Sequence, residues 1–170
     1  MPDVRVGIVV ASTRAAAGEA EDGTGPVIAD WARQHGWAVD GPHVVADGQP
    51  VERLLRDLAA SGTALVVTTG GTGMSPDDET PERTRAVIDR EAPGIAERLR
   101  AAGLHQTPMA ALSRGIAGIA ERTLIVNLPG SRGGVRDGLA VLDELAAHAL
   151  AQLGHLADDQ PHPPREGTSA

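Results

Sequence analysis

Residues 68–82, TTGGTGMSPDDETPE, join two kinds of group that act oppositely on a phosphate. Gly70, Gly71 and Gly73, with Thr72 between them, follow the apolar run Ala64-Leu65-Val66-Val67. Glycines let a backbone turn tightly and bring its N–H groups close to an anion. Yet Asp77, Asp78, Glu79 and Glu82 come next in the chain, and carboxylates repel phosphate. A divalent cation removes the conflict, because Mg2+ takes one or two carboxylates together with phosphate oxygens and water. Asp78 is one candidate ligand. Asp47, at the end of an earlier apolar stretch, is the other if its strand runs near the glycine loop. A plainer reading also fits: a strand-to-loop turn, then solvated acids near a helix start. Asp77 and Glu79 suit the plainer reading, and composition does not choose for Asp78. The glycines match neither G-x-G-x-x-G nor the lysine-bearing phosphate loop.

A second anion site is offered by LPGSRGGVRDG, residues 128–138. Pro129, Gly130 and Ser131 precede the last helix, whose first N–H groups and the Ser131 hydroxyl face outward. Arg132 and Arg136 supply charge and bidentate donors. An ordinary strand-to-helix turn explains the same residues without a ligand. Ser113-Arg114 is a weaker signal, and the histidines show no H-x3-H spacing; His155 and His162 read as solvated.

The absences narrow the chemistry. The chain has 170 residues, with no Cys, Phe, Tyr or Lys, and its fifteen basic residues are all arginines. Thiol nucleophiles, disulfides, cysteine metal sites and lysine Schiff bases are excluded. A net charge of −8 and only two tryptophans argue against nucleic acid as a partner. No apolar run approaches the ~18 residues of a membrane span, and the first residues lack the pattern of a signal peptide. A cytoplasmic protein is expected.

The elements that position these residues alternate. VRVGIVV (4–10) reads as a buried strand, and PVIADWARQH (26–35) as a helix facing inward through Val27, Ile28, Trp31 and Ala32. A strand over 37–46, a helix over 50–60 with Leu54, Leu55 and Leu58 inward, and a strand over 64–69 follow. Thr80 is expected to cap a helix running to about Arg90. Further helices are predicted over 93–102 and from about Val135 to Leu153, with a strand over 123–128; residues 109–120 suggest a helix and then a short strand. This is the pattern of an α/β three-layer sandwich with a mostly parallel central sheet. In such sheets ligands bind beyond the carboxyl ends of the strands, where the glycine turn, Asp47, Ser12 and the PGS turn all fall. One domain over 1–153 and a disordered tail over 154–170 are expected.

Taken together, the glycine–acid loop, PGIAERLR, LSRGIAGI, TLIVNLPGS, EDGTGP and VVADGQPV closely resemble the MoaB/Mog family of molybdenum cofactor biosynthesis, in order from about residue 4 to residue 150. GGTG-x4-D-x-T-P with a later LPGS is the specific combination. The resemblance implies a molybdopterin-binding fold and a homotrimer or a dimer of trimers. It implies an adenylyltransferase that transfers AMP from MgATP to the terminal phosphate of molybdopterin and releases pyrophosphate. Asp47 and Asp78 match its catalytic, metal-holding aspartates, and Gly70, Gly71, Thr72 and Gly73 its nucleotide turn. Ser113 and Ser131 match positions lining the cleft, with Pro129 and Gly130 in the same turn. Ser12, Asp22 and Gly25 match positions after the first strand. Arg14 and Arg132 are candidates for steadying the pyrophosphate. One departure stands out: Thr13 replaces an acid of the usual Ser-Asp-Arg, which keeps a non-catalytic pterin carrier or scaffold as the alternative.

Overall fold

The computed structural model describes residues 4–157. Six strands form one sheet in the order β2-β1-β3-β6-β5-β4. β1 (Arg5–Ala11), β2 (Ala38–Val45), β3 (Leu65–Thr69) and β6 (Thr123–Leu128) are parallel, while β5 (Ala117–Ala120) and the two-residue β4 (Arg90–Glu91) join antiparallel at the edge. The mostly parallel sheet expected from the alternation is present. Its antiparallel edge comes from the short β5–β6 hairpin, where Ala120 pairs with Thr123.

Alternation within each strand splits the core into two layers. Val6, Ile8, Leu65, Val67, Leu124, Val126 and Leu128 face α2 (Gly25–Gln34) and α6 (Arg132–Gln152), with Ile95 and Leu99 of α5 (Pro93–Leu104) against them. Val9, Ala11, Val66 and Ile125 face α3 (Gln49–Ala60), through Val51, Leu55 and Leu58. α1 (Thr13–Ala16) is a single turn after β1, and a 3-10 helix covers Pro108–Leu112. The helix-then-strand reading of 109–120 therefore holds, and α6 begins three residues earlier than the spacing suggested.

Two expectations are corrected. α4 covers only Thr80–Arg85, not residues up to Arg90, because the chain turns at Ala86–Asp89 and the Asp89 N–H joins the Ile119 carbonyl at the sheet edge. Thr80 is the first helical residue rather than the N-cap. Its hydroxyl instead donates to Asp47 Oδ1 at 3.1 Å, so a tertiary bond displaces the local cap. Residues 154–157, assigned to the tail, fold back on α6: Gly154 N–H reaches Ala151 O, and His155 Nε2 lies 2.8 Å from the Arg122 carbonyl. His155 is thus engaged. His162, the rest of the tail and the first three residues lie outside the described residues. Among the described residues no helix is long and apolar enough to cross a membrane.

Candidate functional site

The strands β1, β3 and β6 end side by side, so the segments leaving them meet at one edge of the sheet. Gly70 follows β3 with φ +90° and lies against the Ala11 carbonyl that ends β1, where a Cβ would collide. Gly130 follows β6 and abuts Gly70, a Cβ there falling 3.2 Å from Gly70 Cα. Gly71 also has positive φ, +66°. Gly70 and Gly71 need to be glycine, because a Cβ would collide at each and the left-handed region is disfavoured for other residues, while a Cβ at Gly130 would be tight. Thr72 is buried, and its carbonyl accepts from the Arg114 N–H at 2.8 Å.

Asp47 does reach this turn, although β1 lies between β2 and β3 in the sheet. Its carboxylate occupies the space beside Gly71. Oδ1 accepts from the Gly48 N–H at 2.7 Å and from the Thr80 hydroxyl; Oδ2 accepts from the Glu79 N–H at 3.0 Å. Asp47 thereby caps α4 from a distant part of the chain. Burial raises its pKa above the ordinary 3.8, the bonds from Glu79, Gly48 and Thr80 pull it down, and the Asp78 charge pushes it up. The two aspartates are therefore electrostatic neighbours. Asp78 accepts from the Ser75 N–H at 3.0 Å and packs against Gly73, where a Cβ would stand 2.7 Å from Asp78 Oδ2.

Of the other acids of the loop, Asp77 is exposed, while Glu79 and Glu82 have structural partners. Glu79 receives Arg83 at 2.5 Å, and Arg83 also reaches Glu52 at 3.3 Å. Glu82 pairs with Arg114, which holds its carboxyl below the usual range. Glu79 is thus a helix-start charge held in a half-exposed ion pair, as the plainer reading has it.

Two cavities flank the turn. The larger, about 570 Å3, is lined by Thr72, Gly73, Ser113, Pro129 and Ser131, with Arg100, Arg136, Met109 and Leu112 among its walls. The smaller, about 360 Å3, is lined by Ser12, Asp22, Gly23, Gly70, Gly130 and Arg132. Asp47 and Asp78 line neither; they stand behind the glycine turn that divides them. Ser131 is the N-cap of α6 and accepts from the Gly134 N–H at 3.1 Å, so the helix start faces the larger cavity. Ser12 caps α1 through the Ala15 N–H. Asp22 accepts from the N–H groups of Thr24 and Gly25 at the start of α2, and Gly25 has no room for a side chain against it. Arg132 donates to the Gly23 carbonyl at 3.0 Å, while Arg14 is exposed and lines neither cavity. Thr13 is likewise exposed and outside both linings, so the departure in Ser12-Thr13-Arg14 does not alter either cavity wall.

The donor chemistry fits a hard divalent cation. Asp47 feels the charge of Asp78, and a carboxylate offers about four acceptor positions, of which Asp47 spends three on the protein. That leaves capacity for the partial shell that Mg2+ takes from a protein.

Arg100 escaped the sequence reading. It comes from α5 and donates to the carbonyls of Ser113 and Gly115 at 3.3 and 2.9 Å. Its acceptors are backbone atoms on a later segment, and no local spacing announces such a bond.

Comparison with known proteins bears on what the cavities hold. The family model described as "Probable molybdopterin binding domain" matches residues 7–152. The chain is 38% identical over 155 residues to a protein of Haemophilus influenzae named molybdopterin adenylyltransferase, covering 88% of this chain and 78% of that one. It is 38% identical over 147 residues to a molybdenum cofactor biosynthesis bifunctional protein of Synechococcus elongatus, covering 86% of this chain but 46% of that one. The chain thus spans less than half of that relative. Among solved structures, the molybdopterin biosynthesis Mog protein from Mycobacterium ulcerans superimposes with a TM-score of 0.86 at 49% identity, covering 91% of this chain and 99% of that one. The molybdopterin biosynthesis enzyme MoaB from Thermus thermophilus gives 0.83 at 44% identity, covering 88% and 96%.

Proposed function

The chain belongs to the family of molybdopterin-binding domains, and from that premise we propose that it is a molybdopterin adenylyltransferase acting in molybdenum cofactor biosynthesis. The observation that carries the reading is the glycine turn 70–73, which stands between two cavities with Asp47 and Asp78 at its back. A turn that both cavities share suits a transfer between two phosphorylated substrates, whose phosphates must meet there.

The reaction needs little from side chains. A terminal phosphate oxygen of molybdopterin, already ionised near neutral pH, forms a bond to the α-phosphorus of ATP. The bond from that phosphorus to the bridging oxygen breaks, and pyrophosphate leaves with the electron pair. No base, thiol or amine is required, in keeping with a chain that has no Cys and no Lys. Asp47 and Asp78 would hold Mg2+, which supplies charge neutralisation on the triphosphate when bound. The N–H groups of the turn and of the α6 start bind and orient phosphate oxygens. Arg132, at the smaller cavity, is the arginine positioned to steady the leaving pyrophosphate.

We read the protein as cytoplasmic, where ATP is at hand for the reaction. We further read the chain as a homotrimer or a dimer of trimers. The family resemblance implies that state, and the exposed Leu104 offers apolar surface for contacts. Sedimentation of the free protein tests this, and a monomer at micromolar concentration would refute it. The carrier alternative loses its main support, since Thr13 touches neither cavity. Pyrophosphate release from MgATP, with and without molybdopterin, tests the activity itself.

A further inference from the structure

Arg114 ties together the two parts of the candidate site and takes no part in the bond changes of the proposed transfer. It follows Ser113 on the turn between the 3-10 helix and β5. Its N–H donates to the Thr72 carbonyl at 2.8 Å. Its Nε donates to the Gly73 carbonyl at 2.7 Å and its Nη2 to the Asp78 carbonyl at 2.6 Å. Its Nη1 pairs with the Glu82 carboxylate at the start of α4. The side chain is 32% exposed, so the head group is held among these partners.

Two features separate this arginine from one that binds a ligand. Its donors are directed at protein acceptors on three segments, and its charge is matched by Glu82. It also bonds to both residues whose separation matters. Gly73 ends the phosphate turn and Asp78 carries a carboxylate packed against it. One planar group bonded to both carbonyls fixes the distance between turn and carboxylate. Because Ser113 lines the larger cavity, the same residue links that placement to the cavity wall.

We infer that Arg114 is a positioning residue: it sets the Asp78 carboxylate against the Gly73 turn, so that the cation and the α-phosphate are held in register. The inference rests on the adenylyltransferase reading. Lysine cannot substitute, because an ammonium is a point charge without the rigid fork.

The test uses the full chain with Arg114→Lys, Arg114→Ala and, as a control for charge, Glu82→Gln. Arg114→Lys is expected to lower kcat by ~10- to 100-fold, the scale of a misplacement near 1 Å. The melting temperature should stay close to wild type, and Glu82→Gln should keep nearly full kcat. A second readout needs no turnover: Mn2+ binding in the presence of a non-hydrolysable ATP analogue, followed by electron paramagnetic resonance. Arg114→Lys should weaken it by at least ~10-fold, as losing a ligand's support does. Wild-type kcat and wild-type Mn2+ affinity in Arg114→Lys would overturn the inference. So would a loss confined to KM, a loss that cooling reverses, or an equal loss in Glu82→Gln. Failure of the wild type to release pyrophosphate would sink the functional reading instead, and the Mn2+ measurement would still decide the role of Arg114.

Discussion

The Asp47 carboxylate fills the space where a side chain on Gly71 would stand, so the glycine turn and this acid are built as one packed unit. Gly71→Ala must move Asp47 and also strain a residue at φ +66°. The expected result is a loss of ~1–3 kcal/mol in denaturant unfolding together with a large fall in turnover. Gly94→Ala is the control. Gly94 has open space around it near the start of α5, and substitution there should be neutral or stabilise by up to ~1 kcal/mol.

Asp78→Asn keeps the shape of the side chain and removes its charge. Its bond from the Ser75 N–H can survive through the amide oxygen. Folding should be intact by circular dichroism, and pyrophosphate release should fall by at least ~100-fold, the scale of losing one charge-stabilising group. Full activity would remove Asp78 from the mechanism.

The pH dependence has a definite sign. Burial holds the Asp47 pKa above 3.8, so the acid limb of kcat/KM should lie above that of an ordinary aspartate. The Thr80 hydroxyl bond lowers that pKa. Thr80→Val removes it, and the acid limb should move to higher pH. The stability effect runs the same way. Because the folded pKa is the higher one, the native state binds more protons than the unfolded chain between 3.8 and the folded value. Ionising Asp47 therefore costs stability as pH rises through that window, and the cost is complete above it. An acid limb that moves down in Thr80→Val would contradict this account.

Asn127 carries the link between sheet and loop. It is buried at 3% exposure, donates to the Thr68 and Thr84 hydroxyls at 2.9 and 3.0 Å, and accepts from the Ile116 N–H at 3.2 Å. Asn127→Ala strands those groups, each at a cost of ~1–3 kcal/mol. A total loss of at least ~3 kcal/mol is expected by chemical denaturation.

The sequence made some of this visible and hid the rest for physical reasons. The apolar period of VRVGIVV and TLIVNL was enough to place β1 and β6, and the strand ends located Gly70, Gly130 and Ser131 on one edge. The importance of Asp47 was legible only through resemblance and an assumption about strand proximity. Its actual route is a loop that crosses past β1 to bond Glu79 and Thr80. Thr80 looked like a cap because threonine before Pro-Glu commonly is one; the distant carboxylate claimed its hydroxyl. Arg100 was obscure, and Arg114 showed only as a weak anion signal, because the carbonyls they bond lie in other segments and carry no side-chain signature.

The most direct measurement is pyrophosphate release by the purified chain from MgATP, with and without molybdopterin. Release should require molybdopterin, stop when divalent cation is chelated, and be lost in Asp78→Asn. Tight molybdopterin binding with no release, in wild-type protein supplied with MgATP, would contradict it.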